Sequence, residues 1–442
     1  MEEYILENGL KLIYKQSDSK LTSICISIDA GAIREEEKLG VAHATEHLVY
    51  KGTKNRSEKK INEDLSRIFG FQNAMTNYPY VIYYGTTLEE EFKEAIELFS
   101  DIIINPTFEE KGFFEEMDVI KEELKEWDEE LDQYTEDKLF FNSFKNRRIK
   151  YPIIGRMKDL ESIKLEDILK FYNKNYKPEK TNITIVTSLE FEDIKKIVAF
   201  YFENWKLENR NKSIENKGLV KELNIEGKLE ACLEKQYKKS SEEALQKQLG
   251  ESLDNKKFVD YKEGINTVSV QMIFDLKDLS SKEINSFSIF NEYFGEGVNS
   301  VLYNKLRTEN SLIYDVITTI SRENGIKLYK INYNTSCENL DKSLEIVLNA
   351  LNNIDDFRKL NKEDITNLIK RIKMKRLLKE EKSIYLAKEL STYETMFGSY
   401  KEYLEEENLE NYSIDFILNI AKKVFRNKSI EIVRRKGVSL NE

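Results

Sequence analysis

Two histidines occur in the 442 residues, His43 and His47, and both fall in the stretch GVAHATEHLVYKGT (residues 40–53) with Glu46 between them. On a helix, residues four apart share one face, one turn from each other, so both imidazoles can be turned toward a single point. Two imidazoles converging on a point are ligands for zinc. A structural zinc site closes with four protein ligands, usually including cysteines. None of the three cysteines, Cys25, Cys232 and Cys337, lies in this segment. A catalytic site needs three protein ligands and an open position for water, and with no histidine left the third ligand must be a carboxylate. Glu46 lies about 100° around the helix from His47. It can reach a water at the open position without binding the ion, which is the placement of a general base.

The stretch KGFFEEMDVIKEELKEWDEEL (111–131) offers the acids. Projected at about 100° per residue, Phe113, Val119, Ile120 and Trp127 fall within about 60° of Glu116 and Leu124 at about 80°, and Glu123 lies within about 20°. Both glutamates therefore sit in the apolar stripe that should face the core, where an unpaired carboxylate is costly. Glu115, Glu122, Glu126 and Glu129 point away, and Glu130 lies on the rim as a rival that spacing alone leaves open. Glu116 and Glu123 are two turns apart, roughly 10 Å along the axis, so one is expected to bind the ion and the other to orient a ligand.

These side chains must be carried by a scaffold of strands and helices. YILENGLKLIYKQ and LTSICISIDAG read as strands separated by turns at Asn8-Gly9 and Ser17-Asp18. A helix is expected from Val41, and another over 57–70 with Ser57 as cap and Gly70 as stop. NAMTNYPYVIYYGTTL reads as extended chain with Pro79 at an edge or bend. Helices follow at 90–104, continuously over about 108–143, and near 157–172. A strand at TNITIVTS and a helix near 191–203 complete a first half, residues 1–206. Residues 207–258 are dense in Lys, Glu, Asn and Ser and read as a charged linker, with KLEACLEKQYKKSSEEALQKQL a candidate solvated helix inside it. Residues 259–442 repeat the order: strands at NTVSVQMIFDL, DVITTISR and IKLYKINYNTS, then long helices and a last strand, SIEIVRR. Antiparallel strands mixed with runs of helices predict an α+β fold of two similar halves.

The length suits two domains. With 80 acidic against 69 basic residues the net charge is −11, which excludes the basic footprint nucleic acid requires and would favour basic peptides instead. Three widely spaced cysteines fit a reducing compartment. No bilayer-length apolar run or targeting segment is evident, so a cytoplasmic protein with no membrane partner is expected.

H-x-x-E-H is the inverzincin signature, and LGVAHATEHLVYKGT resembles the corresponding segment of the insulinase-type (M16-like) zinc metallopeptidases, a family that includes the mitochondrial processing peptidase and bacterial relatives. The resemblance covers nearly the whole chain. It implies two αβ-roll halves and one zinc per chain. In the family the third ligand is a glutamate about 76 residues after the second histidine, in a segment E-x-x-V-I-x-x-E. EMDVIKEE places Glu116 and Glu123 there and favours Glu123 as ligand beside His43 and His47, with Glu116 as its orienting partner and Glu46 as base. NAMT resembles the edge-strand segment that pairs with an extended substrate, implying roles for Asn73, Ala74 and Thr76. YPIIGR (151–156) resembles the segment after the ligand helix. FGEGVNSVLYNKLRTENSLIYDV resembles the stretch whose Arg and Tyr reach the substrate and transition state, here Arg307 and Tyr314. Departures occur at Pro79, at Val301 and in the longer linker, and they bear on substrate preference. The implied activity is zinc-dependent endoproteolysis of peptides or unfolded precursor segments inside a dimeric chamber, by a homodimer or a heterodimer with a homologous chain. The alternative is a chamber-forming partner subunit without activity of its own. Inactive partners typically lose the histidine motif, whereas this chain keeps it.

Overall fold

The computed structural model describes residues 1–205, 251, 253–405, 409 and 412–436. Most of the expected linker, with its candidate solvated helix and Cys232, lies outside the described residues.

The first half is built on six strands: β1 (Glu2–Ile5), β2 (Lys11–Gln16), β3 (Leu21–Ile28), β4 (Phe69–Thr76), β5 (Val81–Leu88) and β6 (Thr181–Thr187), in the order β1-β2-β6-β3-β5-β4. All neighbours are antiparallel except β2 with β6. The second half holds β7 (Lys256–Lys262), β8 (Val268–Asp275), β9 (Ile313–Ser321), β10 (Leu328–Thr335) and β11 (Lys428–Arg435), ordered β7-β11-β8-β10-β9. Only β7 with β11 is parallel. Leaving β1 aside, the sheets have one topology, with β2, β6, β3, β5 and β4 matched by β7, β11, β8, β10 and β9. The two similar halves of the expected α+β fold are present. The first three residues of β7 fall within the expected linker.

The central strands of each sheet are buried on both faces, and the period-two alternation of strand side chains explains how. On β3, Ile24, Ile26 and Ile28 join the core formed with the first half's own helices. Ser23, Cys25 and Ser27 face the other way, onto the helix Ser383–Phe397 of the second half: Ser23 bonds Ser383 at 2.8 Å, Thr395 bonds Ser27 at 2.7 Å and Cys25 packs near Ala387. The second sheet receives the reverse treatment. Val268, Val270, Met272 and Phe274 of β8 face the second half's helices. Ser269 and Gln271 bond Asp132, at the start of a helix from the first half. The halves are thus strapped by an exchange of one helix each.

That exchange accounts for a departure from the sequence reading. The continuous helix expected over 108–143 is two helices, α4 (Glu110–Glu129) and α5 (Leu131–Ser143), the latter being the strap. The break is at Glu130, whose backbone is extended (φ −68°, ψ 107°) with neither Gly nor Pro present. Asp132, which also accepts from Asn334 at 3.1 Å, anchors α5 to the second sheet, so tertiary contact overrides local helical preference. The other expected elements of the first half form as α1 (Val41–Leu48), α2 (Glu58–Ile68, with Ser57 capping Lys60 N–H) and α3 (Phe92–Ile104). Among the described residues no helix is long and apolar enough to cross a membrane.

Candidate metal and catalytic site

The site is assembled where α1 crosses α4. The start of α1 is fixed by Gly40, whose φ of +86° suits glycine and whose position a Cβ could not share, lying 2.4 Å from the Ile154 carbonyl oxygen. Glu35 Oε1 accepts the Gly40 and Ala42 amides at 2.9 and 3.1 Å, capping the free N–H groups of the first turn. Its other oxygen is held by the buried Arg148, whose Nε donates at 2.9 Å. The 151–156 segment thus packs against the entry to α1.

From that start, helical spacing turns His43 and His47 together, ring centroids 4.5 Å apart. His43 Nε2 stands 3.6 Å from Glu123 Oε1, and His47 Nε2 3.5 Å from Glu123 Oε2. One ligand atom from each of the three lies within 4.8 Å of the other two, and among the described residues they form the only such group. These separations are too long for good hydrogen bonds and leave room for an ion between the donors. On the far side of the ring, His47 Nδ1 lies 2.9 Å from Glu116 Oε1. A carboxylate can only accept, so Nδ1 carries the hydrogen, and in the neutral form of His47 the Nε2 lone pair is directed at the cluster. His43 Nδ1 is buried and unpartnered, an imidazole whose environment supplies no competing acceptor. Two nitrogens and a carboxylate oxygen with a carboxylate behind one histidine are a donor set that fits zinc.

The electrostatics follow from burial. Desolvation, aided by the charge of His47, pushes His43 down to about 3, so it is neutral at physiological pH. Burial would lower His47 too, but the Glu116 hydrogen bond and the charges of Glu46, Glu123 and Glu116 outweigh it and raise its pKa. Burial would raise Glu116, but His47 and Lys51, whose Nζ is 3.4 Å away, hold it below the usual carboxylate range. Burial raises Glu123 against the pull of His47. It also raises Glu46, against His47 and a hydrogen bond from Thr76 Oγ1 at 3.1 Å. A carboxylate with raised pKa is a stronger base.

β4 is the free edge of the first sheet, next to α1. Asn73 is exposed on it, its Oδ1 accepting the Ala74 amide at 2.9 Å. Thr76 is buried with its hydroxyl turned onto Glu46, where the sequence reading has it serve the substrate. Arg307 and Tyr314 lie in the second half. Arg307 Nη1 donates to the Tyr314 carbonyl at 2.5 Å, and its guanidinium sits 4.6 Å from the Tyr314 ring centroid and 5.3 Å from that of Tyr303. Tyr314 is 81% exposed, and the contacts of the pair are local. The structure thus brings His43, Glu46, His47, Glu116, Glu123 and Thr76 together, while half-buried Arg307 and exposed Tyr314 contact each other and none of these.

Two details of α4 differ from expectation. The buried side chains are Phe113, Met117, Ile120 and Leu124, while Val119 is half exposed. The buried stripe is therefore centred roughly 70–90° from the two glutamates, which occupy its flank, where α1 meets it. Glu130, at the break between α4 and α5, is exposed and outside the cluster. The sequence reading omits Glu35, Arg148 and Lys51. An acid five residues before Gly40 could signal a cap, and Lys51 continues the four-residue spacing of His43 and His47.

The second half makes the equivalent helix crossing without histidine. There the helix Ser281–Phe294 meets the helix Lys362–Glu380 through buried Glu292, paired with Arg371 Nε at 3.2 Å and Lys375 Nζ at 2.8 Å. Its carboxylate is neutralised by cations of the chain itself.

With the geometry established, comparison with known proteins is informative. Residues 11–156 match the family model described as insulinase (peptidase family M16), and residues 162–372 the one described as peptidase M16 inactive domain. The chain is 31% identical over 193 residues to an uncharacterized zinc protease of Rickettsia bellii, covering 43% of this chain and 47% of that protein. It is 31% identical over 192 residues to the mitochondrial-processing peptidase subunit beta of Saccharomyces cerevisiae, covering 43% and 41%. The chain thus spans about half the length of the curated relatives it matches first. A solved protease structure from Helicobacter pylori superimposes with a TM-score of 0.80 at 18% identity over 98% of this chain and 99% of that one, a likeness of fold.

Proposed function

The chain belongs to the insulinase-type (M16) metallopeptidase family, and from that premise we propose that it is a zinc endopeptidase acting on peptides or unfolded precursor segments. The observation that carries this reading is the convergence of His43, His47 and Glu123 with Glu116 behind His47 and Glu46 buried alongside. His43, His47 and Glu123 would hold one zinc per chain. Zinc, when bound there, supplies the Lewis acidity that polarises a scissile carbonyl and acidifies water.

The chain's own residues do the rest. Glu46, made more basic by its burial, takes the proton from the attacking water and returns it to the departing amine. Glu116 keeps His47 in one orientation and one tautomer. An extended peptide adds to the free edge of β4 beside Asn73 and Ala74, so that main-chain pairing holds it across α1. Arg307 and Tyr314, presented from the second half, stabilise the oxyanion and the substrate backbone. In this reading residues 1–206 are the metal-holding half and residues 259–442 the substrate-contacting half, joined through 207–258. Two chains, identical or homologous, close around a chamber. Cys25 and Cys337 are free thiols, which suits a cytoplasmic setting.

The test is metal content joined to activity. The purified chain is expected to hold one zinc, to lose cleavage of an unstructured peptide when chelated, and to regain it when zinc is restored. Cleavage indifferent to chelation, or a chain that takes up no zinc, contradicts the reading.

A further inference from the structure

The hydroxyl that holds Glu46 belongs to the last residue of β4, and the chain immediately beyond it is gripped by the second half. Thr76 Oγ1 donates to Glu46 Oε2 at 3.1 Å. One residue on, Asn77 Nδ2 donates to Glu323 Oε1 at 3.1 Å, and Glu323 lies in the connection between β9 and β10 of the other half. That connection is itself tied down: Arg322 donates to Asn285 Oδ1 at 2.6 Å and to Ser288 Oγ at 3.0 Å, both on the helix Ser281–Phe294. Asn77 is fixed further by Tyr80, through its hydroxyl at 3.1 Å and its carbonyl at 2.7 Å, and by the Ala32 amide at 3.1 Å. Tyr78, 3% exposed, is buried with Leu139 and Phe140 of α5 and with Ile273 and Leu328 of the second sheet. The β4–β5 turn is thus held from the second half by a polar contact and an apolar one.

We propose that this turn is a strut, with Thr76 a positioning residue for Glu46 and Glu323 its anchor in the second half. The inference rests on Glu46 being the base, and it deepens that reading by giving the second half a part in the first half's chemistry. Glu46 leaves a short helix with its carboxylate buried, and Thr76 holds it through its hydroxyl and also through its backbone amide. A carboxylate so held keeps one rotamer only while its partner keeps its place. Thr76 in turn ends the edge strand to which an extended peptide would add, so pairing along β4 and placement of the base share a backbone. The register of β4 is set at the Thr76 end by the other half, and a shift of that half is felt at Glu46.

The test is a double-mutant cycle with a structural readout. Thr76→Val keeps the shape and removes the donor, and Thr76→Ser restores it. Glu323→Ala removes the anchor, and Glu323→Gln keeps an acceptor. Since a general base contributes about 10²–10⁴ in rate, misplacing it is expected to lower kcat by roughly tenfold or more in Thr76→Val. KM and zinc content should hold, and Thr76→Ser should recover. Glu323→Ala is expected to lower kcat several-fold, Glu323→Gln to stay near wild type, and Thr76→Val with Glu323→Ala to be no slower than Thr76→Val alone, because both act through one path. Crystal structures of Thr76→Val and Glu323→Ala are expected to show the Glu46 carboxylate displaced or spread over conformers with His43, His47 and Glu123 unmoved. Multiplying effects, an unchanged kcat in Thr76→Val, or a Glu46 that keeps its place in both structures overturns the strut. If the wild type cleaves nothing, the endopeptidase reading fails by itself, and the position of Glu46 in the variants still decides the strut.

Discussion

Replacing Glu116 by alanine should loosen zinc without removing a ligand, and the structure fixes the expected size. Glu116 Oε1 is 2.9 Å from His47 Nδ1, and its side chain retains 14% of its exposure, so the bond is largely shielded from water. A hydrogen bond to a charged partner contributes about 1.5–3 kcal/mol. At about 1.4 kcal/mol per decade that is roughly ten- to a hundredfold in affinity, the range typical of the outer partner of a metal-binding histidine. Lys51 keeps another partner in Glu58 at 2.9 Å, so the loss is specific to His47. Zinc affinity would be measured by competition with a chromophoric chelator at fixed neutral pH. The exposed neighbour Glu115 approaches Lys51 only at 3.8 Å and serves as control, a surface pair of about 0–1 kcal/mol. Zinc held as tightly by Glu116→Ala as by the wild type refutes the reasoning. So does a loss as complete as that of Glu123→Ala, which would make Glu116 a ligand.

Other consequences are as direct. Gly40→Ala should destabilise the fold by at least about 1–2 kcal/mol from its left-handed backbone alone, with more from the clash at Ile154, and reduce metal uptake by shifting α1; denaturant titration and zinc content read both. In the metal-free protein His43 has a pKa of about 3, whereas in the unfolded chain it takes up a proton near 6.5. The unfolded state therefore binds more protons in that window, and stability should fall as pH drops from about 6.5 toward 3, by up to about 1.4 kcal/mol per unit. His47, raised, works with the opposite sign, contributing stability below about 6.5 that is lost as pH rises through its folded value, so the slope removed in His43→Gln isolates the first effect. Burial raises the Glu46 pKa, so its charged form costs stability at neutral pH, and Glu46→Gln should melt higher by on the order of 1–2 °C in calorimetry. Arg307→Ala and Tyr314→Phe should lower kcat/KM for peptides with zinc content unchanged, since neither side chain touches the cluster; loss of zinc in either would contradict their separate placement.

What was legible in the sequence is what local spacing controls. The four-residue interval of His43 and His47 and the two-turn interval of Glu116 and Glu123 are properties of single helices, so spacing narrowed the acids to these two with Glu130 as a rival, and the family resemblance favoured Glu123. Periodicity also marks most strands and the repeat of the two halves. What escaped depends on contact between halves. The break at Glu130 has no local cause and exists because α5 leaves to cover the second sheet. The polar face of β3, Ser23 and Ser27, is buried because a Ser- and Thr-bearing helix of the other half lies on it. β7, sequence KKFVDYK, mixes charged and apolar residues without a strand's alternation and is a strand because its backbone pairs with β11. Val119 faces out because the buried stripe of α4 is set by what packs on it, which a projection centred on Glu116 does not contain. The inward turn of Thr76 onto Glu46 needs two elements far apart in sequence.

The central claim is that Glu46 activates water beside an ion held by His43, His47 and Glu123. The most direct test is mass spectrometry of the cuts made in a mixture of unstructured peptides by the chain and by its Glu46→Gln variant, each loaded with one zinc. The account predicts defined cuts by the first and none by the second. Equal cutting by both would contradict it.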